Sequence, residues 1–156
     1  MKAHELLYFE DIDPLVQLAH TMHVECDPTL PVDVKESTLY ALSVINDIER
    51  KERNVWIVRR NDQMIAFGLG RIGQYPFNKL TVASLMYLYV LPEHRKSSAA
   101  FEILHTFENW AKLQGAFRIE VGAVRTDVEV ADKINRMFTK RGFVRYGDMF
   151  YKPVER

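Results

Sequence analysis

Leu88-Tyr89-Val90-Leu91-Pro92-Glu93-His94-Arg95-Lys96-Ser97-Ser98-Ala99-Ala100 is the stretch on which the fold turns. Its first residues favour a pleated strand, and Pro92, which has no N–H to give, ends it. A short basic turn follows, and small residues open a helix. The first N–H groups of a helix lack partners within it. Together with the positive end of the helix dipole they form an anion site. Arg95 and Lys96 add charge suited to phosphate, and the small side chains at Ser97, Ser98, Ala99 and Ala100 let a bulky ligand approach the backbone. Taken alone, the segment also fits an ordinary strand–loop–helix with a serine N-cap.

Outward from this stretch the periodicity is regular. Residues 81–91 predict a long strand, and 98–114 an amphipathic helix with Phe101, Leu104, Phe107, Trp110 and Ala111 on one side. Gly115 sits at its C-terminal cap. Residues 118–124 predict another strand, and the connection from 81 to 124 is long enough for a parallel crossover.

Upstream, 14–23 reads as a helix with Asp13 as N-cap and Pro14 in the first position. Pro28 and Pro31 break the chain. Asp33 with Glu36 forms a capping-box start for a second helix through Leu39, Leu42, Ile45 and Ile48. Residues 55–60 and 64–72 pair as a hairpin around Asn61-Asp62-Gln63, with a loop at 75–78. Downstream, Thr126 and Glu129 open a helix with the stripe Val130, Ile134, Met137 and Phe138, ended by Gly142. Two short strands, 143–146 and 149–152, close the chain around Gly147-Asp148. The order predicts one α/β (α+β) domain over residues 1–156, a mixed sheet flanked by helices.

The 156 residues suit one domain, and 47% hydrophobic with 27% charged residues is ordinary for a packed core. The longest clearly apolar run, 85–91, is far short of the roughly 20 residues that span a bilayer. No secretory signal is expected at the N-terminus. The single cysteine, Cys26, fits a reducing cytoplasm. The net charge of 0 argues against nucleic-acid binding. Residues 1–36 nevertheless carry a net −6, and residues 95–156 a net +4. Such a division suits a cationic substrate and a polyanionic cofactor, although a solvated surface can also be patchy.

Gly68-Leu69-Gly70-Arg71-Ile72-Gly73 spells G-x-G-x-x-G, but within a strand pattern and with Pro76 where a helix should run. It is therefore no dinucleotide fingerprint; a bulge or a close backbone approach explains it. His20 and His23 lie one turn apart without a rigid third ligand, so no metal is expected. His23 or Glu25 instead suits a substrate-facing role, the alternative being a solvated helix end.

The 88–100 stretch resembles the GNAT acetyltransferase superfamily, in which a similar strand leads into a Q/R-x-x-G-x-G/A loop. Arg95 and Ala100 match that loop, whereas Ser98 replaces the central glycine. The element order follows the family across the whole chain. The resemblance implies the GNAT fold and acetyl-CoA as acyl donor, with an amine acceptor. The cofactor would be held by Leu88, Tyr89, Val90, Arg95, Lys96, Ser97, Ser98, Ala99, Ala100 and Phe138. It also implies a gap beside the long strand for the pantetheine, and backbone N–H groups near 88–90 for the carbonyl oxygen.

Two further positions depart from the family. Phe138 stands where a tyrosine often protonates the thiolate, and Ser84 near the place of a frequent glutamate base. Ser84, Tyr87, Glu25 and Tyr146 are the candidate catalytic side chains. The expected activity is N-acetyl transfer to a primary amine in a ternary complex. The acceptor stays open among aminoglycoside, polyamine, protein lysine and N-terminal amine, with the acidic 1–36 segment favouring a cation. No metal, nucleic acid or membrane partner is expected, and a monomer or homodimer is. A GNAT-fold acyl-CoA-binding or protein-interaction module, weak or inactive in catalysis, is the alternative.

Overall fold

A computed structural model describes residues 2–5, 8–122 and 128–147. Its frame is a mixed five-stranded sheet in the order β1 (His4–Glu5), β2 (Arg53–Arg60), β3 (Gln63–Gln74), β4 (Thr81–Val90), β5 (Arg118–Val121). The first four strands pair antiparallel and β4 pairs parallel with β5, as the crossover length predicts. Asn61 and Asp62, both at positive φ, form the two-residue turn between β2 and β3. Short polar side chains tolerate that conformation, whose twist matches the strands it joins.

Helices cover both faces. The helix α3 (Ala99–Leu113) packs on one face, where Trp56, Ile103, Leu104 and Phe107 are fully buried. A Cβ on Gly68 would collide with Ile103, and one on Gly70 would lie 2.9 Å from Trp56. The glycine run thus marks a close helix–sheet approach. The opposite face carries α1 (Ile12–Cys26) and α2 (Val34–Glu49), packed on Val55, Ile57, Phe67, Leu69 and Tyr89.

Local chemistry explains where the helices begin and end. Asp33 caps α2 by accepting from the N–H groups of Lys35 and Glu36 at 2.8 and 3.1 Å. Gly115, at φ +69°, follows α3 as expected. Three sequence expectations need correction. Asp13 is not the N-cap of α1: the helix starts at Ile12 after Asp11, whose buried carboxylate makes no cap bond because Arg59 of β2 engages it. Phe101 is 46% exposed; Ile103, not Phe101, completes the buried stripe of α3. Residues 143–146 are not a strand, having no ladder partner among the described residues. The strand expected at 149–152 lies outside the described residues, as does Thr126.

Residues Met1–Val121 and Gly122–Arg156 form two compact units. The second contains α4 (Val128–Lys140), in which Phe138 is buried and meets Phe143 with ring centroids 5.8 Å apart. Gly142, at φ +89°, follows the helix.

Candidate functional site

The candidate site is built around β4. Its ladder with β5 runs from Val82↔Arg118 to Leu85↔Val121 and goes no further among the described residues. On the other side the β3 register changes between Leu69↔Tyr87 and Gly70↔Leu85, leaving Met86 as an extra residue, a bulge in β4. Beyond it, Phe67↔Tyr89 has the same register as the Leu91 N–H bond to Ile65 O, 2.9 Å. Bonded pairs alternate along an antiparallel ladder. Tyr89 therefore bonds to β3, and the N–H groups of Leu88 and Val90 point away from β3, to the side of β5, whose ladder among the described residues ends at Val121.

The chain leaves β4 through a 3₁₀ turn, Pro92–His94, and enters α3. The N–H groups of His94, Arg95 and Ser97 bond within the turn, and that of Ala99 meets Ser97 Oγ at 3.3 Å. Those of Lys96, Ser98 and Ala100 take no partner among the described residues. They lie at the positive end of a 15-residue helix. Ser98 occupies the N-cap position without making a side-chain cap bond. This is the place where the sequence predicts an anion site.

Arg95 lies beside that turn, and its charge is already engaged. Its guanidinium donates to both Glu25 oxygens, at 2.7 and 2.5 Å, and through Nε to Val90 O at 3.1 Å. It also lies over the Tyr89 ring, whose hydroxyl donates to Glu25 at 2.8 Å. Burial opposes the charge on Arg95, but the Glu25 hydrogen bond and charge outweigh it and raise the pKa. Burial, then the Glu25 bond, push the Tyr89 phenol well above its usual range. Three residues singled out in the sequence thus form one cluster that ties the end of α1 to β4 and the turn.

A cavity of about 310 Å³ lies between α1, α2 and the sheet. Val16, Met22, Val44, Phe67 and Leu69 supply apolar wall, and Tyr87 enters from β4. His23 also lines it, and its ring lies edge-on to Tyr87 at 6.5 Å. Burial, reinforced by Tyr40, raises the pKa of Tyr87.

Ser84 holds the preceding position of β4 on the same face, and its β5 partner in register is Glu120. Glu120 accepts a hydrogen bond from the Tyr75 hydroxyl, which raises the pKa of Tyr75. The sequence alone misses Glu120: a strand was legible there, but its register against Ser84 was not. Phe138 and Tyr146 belong to the second unit, where Tyr146 is exposed. Among the described residues no cluster of three or more His, Cys, Asp or Glu could hold a metal, and no helix is long and apolar enough to cross a membrane.

Residues 13–143 match the Acetyltransferase (GNAT) family. No curated protein matches the chain. Among solved structures, a predicted acetyltransferase from Clostridium acetobutylicum with acetyl-CoA is 21% identical, TM-score 0.75, over 97% of this chain and 95% of that one. The ribosomal-protein-alanine N-acetyltransferase of Brucella melitensis biovar Abortus is 12% identical, TM-score 0.71, over 99% and 100%. AAC(6')-Iy with a bisubstrate analogue, CoA-S-monomethyl-acetylneamine, is 12% identical, TM-score 0.73, over 99% and 98%.

Proposed function

Because the chain belongs to the GNAT acetyltransferase family, we propose that it moves the acetyl group of acetyl-CoA to a primary amine by direct attack, with both substrates bound together. The observation that carries this reading is the pairing of two donor sets: the N–H groups of Lys96, Ser98 and Ala100 at the turn, and those of Leu88 and Val90 at the gap. The first set suits a diphosphate and the second a thioester oxygen. Fold relatives solved with acetyl-CoA and with a bisubstrate analogue support acetyl-CoA as the donor. The family match runs through residues of both units, which supports one domain over 1–156.

The pantetheine arm enters the gap beyond Leu85, and the carbonyl oxygen accepts from the strand N–H groups. One preorganised donor of this type is worth about 2.7–4 kcal/mol. Glu25 is a positioning residue, holding Arg95 against β4 beside the diphosphate turn. Glu120, in register with Ser84, takes a proton from the acceptor's ammonium group and so frees the lone pair that attacks. The thiolate leaves without help from Phe138, which has no hydroxyl. A thiol with a pKa of about 8.5 tolerates that loss, and solvent supplies the proton.

The test is release of free thiol from acetyl-CoA over a panel of amines, above the blank. Glu120→Gln should lower turnover at neutral pH by about 10²-fold, with the deficit shrinking as pH approaches the pKa of the amine. Ser98, Phe138 and the engagement of Arg95 by Glu25 favour a second reading, an acyl-CoA-binding module. Binding of acetyl-CoA with no thiol released from any amine would establish it.

A further inference from the structure

The acceptor class follows from the cavity between α1, α2 and the sheet; the inference rests on the acetyl-transfer reading. At about 30 Å³ per water-sized group, 310 Å³ accommodates about ten non-hydrogen atoms. The walls are mostly aliphatic and aromatic, with His23, Ser37, Tyr40 and Tyr87 as polar points. Among the described residues Glu36 is the only carboxylate that lines it, and it is exposed.

That lining discriminates among amines. A polyamine or aminoglycoside carries several ammonium groups, each needing a carboxylate or water once enclosed. One exposed carboxylate against apolar walls serves one positive charge and leaves the others unpaired. An amine on a compact aromatic or branched aliphatic body instead buries its carbon against Val16, Val44, Phe67 and Leu69. Its nitrogen is then left for the end of the cavity that Tyr87 forms, on the strand beside the gap. The net −6 of residues 1–36 attracts such a cation without having to enclose more than one charge.

We propose that the acceptor is a compact, apolar primary monoamine, bound with its body in this cavity. The amine lone pair attacks the thioester carbon; the N–C bond forms and the C–S bond breaks. The sulfur keeps the bonding pair and leaves as a thiolate that solvent protonates, and the nitrogen gives up its extra proton to solvent as the amide forms.

The experiment compares 2-phenylethylamine, spermidine and kanamycin as acceptors with acetyl-CoA. It is paired with calorimetry of 2-phenylethylamine binding to the CoA-loaded protein. Ala19 lines the cavity and is only half-buried, so Ala19→Phe fills the space, and Ala19→Leu is a milder version should the first fail to fold. The expected result is a kcat/KM at least tenfold higher for 2-phenylethylamine than for either polycation. Its binding should weaken at least tenfold in the filled variant, while acetyl-CoA affinity stays within twofold. Equal or better use of spermidine or kanamycin would overturn the acceptor class and leave acetyl transfer standing. Should no amine release thiol, the acetyl-transfer reading fails instead, and calorimetry decides the cavity: no heat with 2-phenylethylamine, or heat unchanged by filling, overturns the inference.

Discussion

The two faces of the sheet are built from the same strands and do different work. On the α3 face, Trp56 meets Phe107 and Trp110 edge-on at 5.7 and 5.3 Å, and Gly68 and Gly70 leave out side chains so that the helix can approach. On the α1–α2 face, the same strands carry tyrosines, a cavity and an ion-paired cluster. Alternation of side chains along a strand allows this division. The α3 face is packed closely, whereas the α1–α2 face combines an apolar core with open space and buried polar groups. Substitutions on the two faces should therefore separate stability from chemistry.

The largest effect belongs to the packed face. Phe107→Ala removes a fully buried ring from the aromatic stack and should cost about 3–5 kcal/mol in urea denaturation. Gly68→Ala comes next, because its Cβ would meet the stiff, fully buried Ile103. Overpacking of that kind costs about 1–3 kcal/mol, and a loss much smaller than this would mean that α3 can move off the sheet.

On the open face the effects are smaller and depend on pH. Tyr89 has a phenol pKa raised by burial and by Glu25, above an unfolded value of about 10. Below pH 10 both states keep the proton and the contribution is fully present. As pH rises above 10 the unfolded chain ionises first, so stability falls towards the folded pKa. Tyr89→Phe should cost about 1 kcal/mol at pH 8 and flatten the alkaline decline. An unchanged decline in the variant would place its cause elsewhere.

The same contrast explains what was legible in the sequence. Features set by neighbouring residues could be read directly: the Asp33 cap, the Asn61-Asp62 turn, the stop at Pro92 and the buried stripe of α3 apart from Phe101. The site depends on distant partners. Glu25 meets Tyr89 and Arg95 across 64 and 70 residues, and Asp11 meets Arg59 across 48. Ser84 faces Glu120 only because of a parallel register that no local pattern encodes. Residues 143–146 have the composition of a strand, but pairing makes a strand, and they have no partner among the described residues. Individually the sequence pointed to Glu25, Tyr89 and Arg95; their union in one cluster required the fold.

The central claim is that the turn before α3 holds the diphosphate of acetyl-CoA through the N–H groups of Lys96, Ser98 and Ala100. Calorimetry of acetyl-CoA with wild type and with Ser98→Glu tests it directly, since that substitution places bulk and a like charge at an exposed position of the turn. The account predicts a loss of affinity of at least tenfold, about 1.4 kcal/mol, with the fold intact by circular dichroism. Unchanged affinity in a folded Ser98→Glu protein would contradict it and move the site elsewhere.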